Sequence, residues 1–277
     1  MGMRVATNVA SINAQRSMVQ NTRGMEKSMA QLSTGSRITK AGDDAAGLAI
    51  SEGFKSQIRS YGQASRNAND GISMIQTAEQ SMGEISNIAT RLRELGIQAA
   101  SDTIGETERG FINKEVDALK SEIQRVAEST SFGSRKLLDG TGGVYDFHVG
   151  TAANEKTDWI AYDSSITNAT VDNLGISDLD FTSKDGARAG LEALDKAQTQ
   201  INGSRATLGA MQNRLSSTVD VIGTMNENMN AANSRIRDTD MAKEMMKYTQ
   251  SNVLTQAAQA MLAQANQAPS QVLQLLQ

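Results

Sequence analysis

The sequence predicts a mainly α fold: a long coiled-coil helical rod with a small β-hairpin region, its N- and C-termini paired as a second helical domain. Three observations predict it. Apolar residues recur at alternating spacings of three and four over long runs, the seam of a coiled coil. Aromatic residues are 4% of the 277 and proline occurs once, at Pro269, a composition suited to long helices rather than a bulky core. Strand-like alternation is confined to one short region.

The first long seam follows "TKAGDDAAG", where Asp43 or Asp44 supplies an N-cap carboxylate. Ala68, Ile72, Ile75, Ala78, Met82, Ile85, Ala89 and Leu92 continue it. A helix over roughly residues 44–100 is about 85 Å long at 1.5 Å per residue. "SDTIGETERG" interrupts the pattern. Ile112, Val116, Leu119, Ile123 and Val126 form a second seam, which ends near "ESTSFGSRKLLDGTGG", whose glycines read as turns. "VYDFHVG" and "TDWIAYD" alternate as strands do, on either side of "TAANEK". A third helix begins near Gly190, with a seam from Ile201 through Leu208, Met211, Leu215, Val219, Ile222, Met225, Met229 and Ala232 to Ile236.

The two ends are different. Val5, Val9, Ile12, Val19, Met25, Met29 and Leu32 make the N-terminal segment amphipathic, and no charged residue follows Lys247. The C-terminal stripe from Val253 to Leu276 is rich in alanine and narrow. One such pair of helices buries little apolar area, and Gly24 and Gly35 each weaken a helix interior by about 1 kcal/mol. Two readings stay open: the ends are ordered only when other molecules cover them, or they close into an intramolecular bundle. Pro269 should break or redirect the last helix, leaving "SQVLQLLQ" as a short turn or hook. Gln256, Gln259, Gln264 and Gln267 offer a polar but uncharged face.

Several function classes are disfavoured. The 27 basic and 31 acidic residues leave a net charge of −4, so there is no basic signature for nucleic acid. No run of eighteen apolar residues is present to span a membrane, and the start lacks the apolar stretch of a secretory signal. With one histidine and no cysteine, zinc-protease and thiol constellations are absent. His148 reads as a strand residue, "GTGGVYD" as a turn, and the paired Asp43 and Asp44 as a cap rather than acid–base machinery. No enzyme and no cofactor are expected.

Six stretches, "NVASINAQRSM", "QLSTGSRITKAGDDAAGLAIS", "RLRELGIQAASDT", "INGSRATLGAMQNRL", "ANSRIRDTDMAKE" and "QAMLAQANQAPSQVLQLL", together resemble bacterial flagellin over essentially the whole chain. The resemblance implies a structural subunit of the flagellar filament, a helical homopolymer outside the cell that serves swimming motility. It implies an inner-core domain of residues 1–43 with 236–277 and a rod-like outer-tube domain of 44–235, with the hairpin region near 140–182. Only about forty residues, 144–184, stand where the family usually inserts outer surface domains, so a minimal form is expected. The self-assembly core is expected at Val5, Val9, Ile12, Leu254, Met261, Leu262, Val272, Leu273 and Leu276.

The resemblance also implies type III export without a cleaved signal peptide and a dedicated export chaperone on the C-terminal segment. Filament cap and hook-associated proteins are further partners. Toll-like receptor 5 would recognise a patch of Arg91, Leu95, Gln98 and Glu115. The first three step by four and three, which puts them on one helix face. A hook–filament junction protein of the same architecture is the alternative. A chemoreceptor-type hairpin shares the heptads but needs transmembrane segments.

Overall fold

A computed structural model describes residues 7–275; for 155, 156 and 268–275 it describes the backbone alone. In chain order the elements are α1 (Val9–Thr34), α2 (Ala45–Ala99), α3 (Glu106–Ser129), β1 (Ser131–Phe132), β2 (Arg135–Lys136), β3 (Val144–His148), α4 (Glu155–Asp158), β4 (Trp159–Asp163), α5 (Lys184–Arg237) and α6 (Met241–Leu275). Its contacts divide the chain into two units, a terminal one of Met1–Ser56 with Asn228–Gln277 and a central one of Gln57–Glu227. No helix of the described residues is long and apolar enough to cross a membrane.

The two adjacent aspartates have separate tasks. Asp44 is the cap of α2, its Oδ1 accepting from Gly47 N at 2.9 Å. Asp43 instead accepts from the N–H groups of Thr39 and Lys40 and pairs with Lys27 Nζ at 2.8 Å. Lys27, then Thr39 and Lys40, hold its carboxyl well below the usual carboxylate range.

The central unit has the apolar core. Ala68, Ile75, Met82, Ile85 and Leu92 of α2 meet Val116 and Ile123 of α3 and Ile201, Leu208 and Leu215 of α5, all buried. Two places depart from the sequence pattern. The α5 seam is buried only as far as Ile222, and Met225 is already exposed. Leu95 is buried beside Leu92 in the core, because the alternation of three and four carries the seam on from 92 through 95 to 99.

The segment between α3 and α5 closes this core. β1 and β2 form a two-residue antiparallel pair around Gly133, whose φ of 61° suits glycine. β3 and β4 pair antiparallel in register Val144↔Asp163 to His148↔Trp159. Tyr145 and Ile160 point inward from them, and His148 meets the edge of Trp159 with ring centroids 6.0 Å apart. Past the hairpin, Phe181 is fully buried. A Cβ on Gly96 of α2 would lie 3.1 Å from its ring, and one on Gly190 of α5 only 2.5 Å. Two glycines on different helices thus leave the notch that the ring fills, and Asn113 Oδ1 of α3 accepts from Phe181 N at 2.9 Å.

In the terminal unit α1 and α6 pack against each other, antiparallel: Asn8 meets Ala265, Gly24 lies beside Ser251, and Ser28 meets Glu244. A short crossover ties the connections to them. Arg37 N donates to Arg237 O, Thr239 N to Gly35 O, and the Arg37 guanidinium to Ile236 O. Contrary to the expectation from Pro269, α6 runs unbroken to Leu275. Proline lacks the N–H that would serve the carbonyl four residues earlier. That carbonyl, of Ala265, accepts instead from Asn8 Nδ2 at 2.7 Å.

The Phe181 notch gives a direct test. Phe181→Ala should lower the free energy of unfolding of the central unit by about 3–5 kcal/mol. Gly190→Ala should lower it by about 1–3 kcal/mol through overpacking. Denaturant titration of the monomer measures both, and an unchanged midpoint for Gly190→Ala would show that the notch has room to spare.

Candidate assembly surface

The less exposed positions of α1 step as Ser11, Ala14, Met18, Asn21, Met25, Ser28 and Leu32. Those of α6 step as Glu244, Tyr248, Ser251, Thr255, Ala258, Leu262 and Ala265. Both are heptads, with small and polar residues at most positions and Met18, Met25, Leu32, Tyr248 and Leu262 among them. The expected stripe of α1 lies on this seam only in part: Met25 and Leu32 are on it, whereas Val9 is 60% exposed, and Ile12, Val19 and Met29 are exposed with it. Small residues let two helices approach closely, and the pair leaves many of its larger apolar groups facing outward.

α6 is apolar on more than one side. Met241, Met245, Met246, Val253, Leu254 and Met261 are all exposed, Met246 and Met261 by about two thirds. The neighbours Val253 and Leu254 project about 100° apart on a helix of 3.6 residues per turn. One partner helix cannot cover both directions, and an apolar helix of this kind needs company on several sides. Among the expected assembly residues, Val9, Ile12, Leu254 and Met261 are thus exposed and Leu262 is half-buried on the seam. Val272 and Leu273 lie in α6 with side chains outside those described, and Val5 and Leu276 lie outside the described residues.

The terminal unit buries polar groups where the central unit buries apolar ones. Ser28, Gln31, Ser51 and Glu244 are buried, against only Ile38 and Ala258 among apolar residues described there. Ser28 Oγ donates to Glu244 Oε1 at 2.6 Å, and Lys247 Nζ donates to Oε2 at 2.8 Å. Burial raises the Glu244 pKa, but the hydrogen bonds from Lys247 and Ser28 outweigh it, and the carboxyl stands below its ordinary value. Arg237 pairs with Glu52 at 2.7 Å, and this contact first, then Lys55, lowers the Glu52 pKa.

The second expected site is brought together in part. Arg91 Nη2 of α2 lies 2.9 Å from Glu115 Oε1 of α3, and Arg91 Nη1 is 3.0 Å from Glu94. Gln98 is exposed on the same helix. Leu95 is 2% exposed, so it supports this patch from beneath and presents no surface. The sequence reading missed Asn8, Ser28 and Glu244. An Asn before an apolar-periodic helix is a cap signal, and Asn8 does accept from Ser11 N. Nothing local marks Ser28 or Glu244, whose pairing depends on residues far apart in sequence.

The patch geometry predicts opposite outcomes for neighbouring substitutions. Leu95→Ala should destabilise the monomer by about 2–5 kcal/mol, whereas Arg91→Ala, at a solvent-exposed pair, should leave the thermal midpoint within a degree or two. Equal effects would place Leu95 on the surface.

Comparison with known proteins matches this architecture at both ends. Residues 5–142 match the bacterial flagellin N-terminal helical region, and residues 191–276 the bacterial flagellin C-terminal helical region. A flagellin of Halalkalibacterium halodurans is 44% identical over 99% of this chain and 100% of its own length. A flagellar filament 33 kDa core protein of Treponema phagedenis is 41% identical with the same coverage. The crystal structure of Bacillus cereus flagellin, 29% identical, superposes with a TM-score of 0.51 over 61% of this chain and 94% of that one. With near-complete coverage of full-length relatives and a helical terminal region matched at each end, the chain belongs to the bacterial flagellin family.

Proposed function

We propose that this chain is the structural subunit of a bacterial flagellar filament, polymerising through its terminal unit into a helical homopolymer outside the cell. The observation that carries the reading is the terminal helix pair, which buries polar side chains within itself and exposes Val9, Ile12, Met246, Val253 and Met261. Copies of the same chain are the natural cover. The absence of charge after Lys247 means that no ion need be desolvated when they pack. Relatives named flagellin and filament core protein, matched end to end, favour the filament subunit over a hook–filament junction protein.

In this reading residues 1–43 with 236–277 form the inner core of the filament, and residues 44–235 its outer tube. The chain leaves the cell through the flagellar type III apparatus without a cleaved signal. An export chaperone covers the apolar faces of α6 beforehand, since exposed apolar surface of this kind invites premature association. Cap and hook-associated proteins receive it at the growing end. Toll-like receptor 5 would meet Arg91, Gln98 and Glu115, with Leu95 setting the helix beneath them.

Purified chain should form long filaments, visible by negative-stain microscopy and pelleted by ultracentrifugation; short capped particles would favour the junction reading. Deleting residues 236–277 should abolish polymerisation while the central unit keeps its cooperative unfolding. Leu262→Glu should nearly do the same by placing an unpaired carboxylate in the packed seam, and normal filaments from that variant would overturn the buried-core account.

Acid should dissolve the filament. A carboxyl whose pKa is depressed on folding, as at Glu244, Glu52 and Asp43, contributes stability that is present above its ordinary value. That contribution is lost as pH falls through the lower folded value. These contacts lie within one chain, so their loss loosens the terminal unit through which copies pack, and light scattering should fall progressively as pH drops below about 4.5. Constant scattering over that range would exclude carboxylate control.

A further inference from the structure

α6 contains a break in its own hydrogen bonding that another helix mends. Pro269 lies within α6, so Ala265 O has no N–H four residues ahead to accept from. Asn8 Nδ2 donates to it from the start of α1 at 2.7 Å. The other end of the same amide is also in use, since Asn8 Oδ1 accepts from Ser11 N at 3.1 Å and caps α1. Ser11 Oγ in turn donates to Asn266 Oδ1 at 3.0 Å. One side chain therefore satisfies the first turn of α1 and the proline break of α6 together, and it does so in one antiparallel register only.

We propose that Pro269 and Asn8 make a folding-order device: the end of α6 completes its helix only when α1 docks beside it. Alone, the segment around Pro269 is a poor helix, because the proline removes a hydrogen bond and nothing local replaces it. Shifting the pair by a residue moves the Asn8 amide away from Ala265 O and leaves a part-buried carbonyl unpaired. The device therefore selects the register as well as the order. Its use in a filament rests on the subunit reading given above; the coupling between the two residues does not.

Asn8→Asp separates the two duties of the side chain. The aspartate keeps an acceptor for Ser11 N, and a negative charge at the start of a helix is favourable, but it has no donor for Ala265 O. Pro269→Ala restores the backbone donor that makes Asn8 dispensable there. The full-length chain is measured in four forms: wild type, N8D, P269A and the double variant. Critical concentration for polymerisation and amide exchange across residues 255–268 are both read.

N8D should raise the critical concentration on the order of tenfold, a lost hydrogen bond to a part-buried carbonyl, and speed exchange in α6 by a similar factor. In the P269A background the same substitution should change either quantity by less than about threefold. P269A alone should increase monomer helicity by circular dichroism and shorten the lag before unseeded polymerisation. Equal effects of N8D in both backgrounds would overturn the proposal, as would unprotected α6 amides throughout in wild type. If no form polymerises, the subunit reading fails, and the exchange data still decide the coupling.

Discussion

The physical constraint from which the rest of this molecule follows is how few apolar side chains are buried among the described residues of its terminal unit. α1 and α6 meet through a seam in which serine, alanine, asparagine, threonine and one buried glutamate alternate with the half-buried Met18, Met25, Leu32, Tyr248 and Leu262, while Val9, Ile12, Val19, Met29 and the methionines of α6 face outward. A pair built this way gains little from burial alone. Its polar contacts, Ser28 with Glu244, Asn8 with Ala265 and Ser11 with Asn266, are directional and fix register more than they add stability. The stability missing from the single chain has to come from whatever covers the outer faces.

The central unit has the opposite composition and the opposite task. Its core runs continuously from Ala64 to Ile222 through three helices and the segment between α3 and α5. Aromatic side chains are scarce, so those present are placed with care. Phe181 fills the space left by Gly96 and Gly190, and Tyr162 is buried against Thr167, with their hydroxyls 2.7 Å apart. Cross-helix pairs such as Arg205 with Glu79 and Arg93 with Asp195 lie at the surface, where each contributes little to stability.

What was legible in the sequence follows that contrast. Where apolar burial decides structure, the pattern was sufficient: the threes and fours gave the seams of α2 and α3, and alternation gave the two stretches that pair as β3 and β4. Leu95 shows the limit even there. A face containing Arg91 and Gln98 was legible, but which residue of it turns inward depends on carrying the seam one step further. In the terminal unit the large apolar residues were a partial guide: Met25, Leu32 and Leu262 lie on the seam, while Val9, Ile12, Val19 and Met29 face outward. Pro269 misled. Its local effect is a break, and the donor that compensates stands 257 residues from the Ala265 carbonyl in sequence, beyond the reach of any local pattern.

A marginal terminal unit is also what assembly requires. If α1 and α6 buried their valines and methionines against each other, the monomer would be more stable and would have nothing left to offer a neighbour. Turning those groups outward transfers the gain to the contact between copies, and association then becomes cooperative, since each helix face needs a different neighbour to cover it. Methionine suits such a surface, because its flexible side chain fills irregular gaps and tolerates small changes in packing. The polar seam answers the complementary need. Apolar faces alone would allow many registers, whereas a buried Glu244 that needs both Ser28 and Lys247, and an Ala265 carbonyl that needs Asn8, accept only one. Adhesion and registration are thus assigned to different faces of the same two helices.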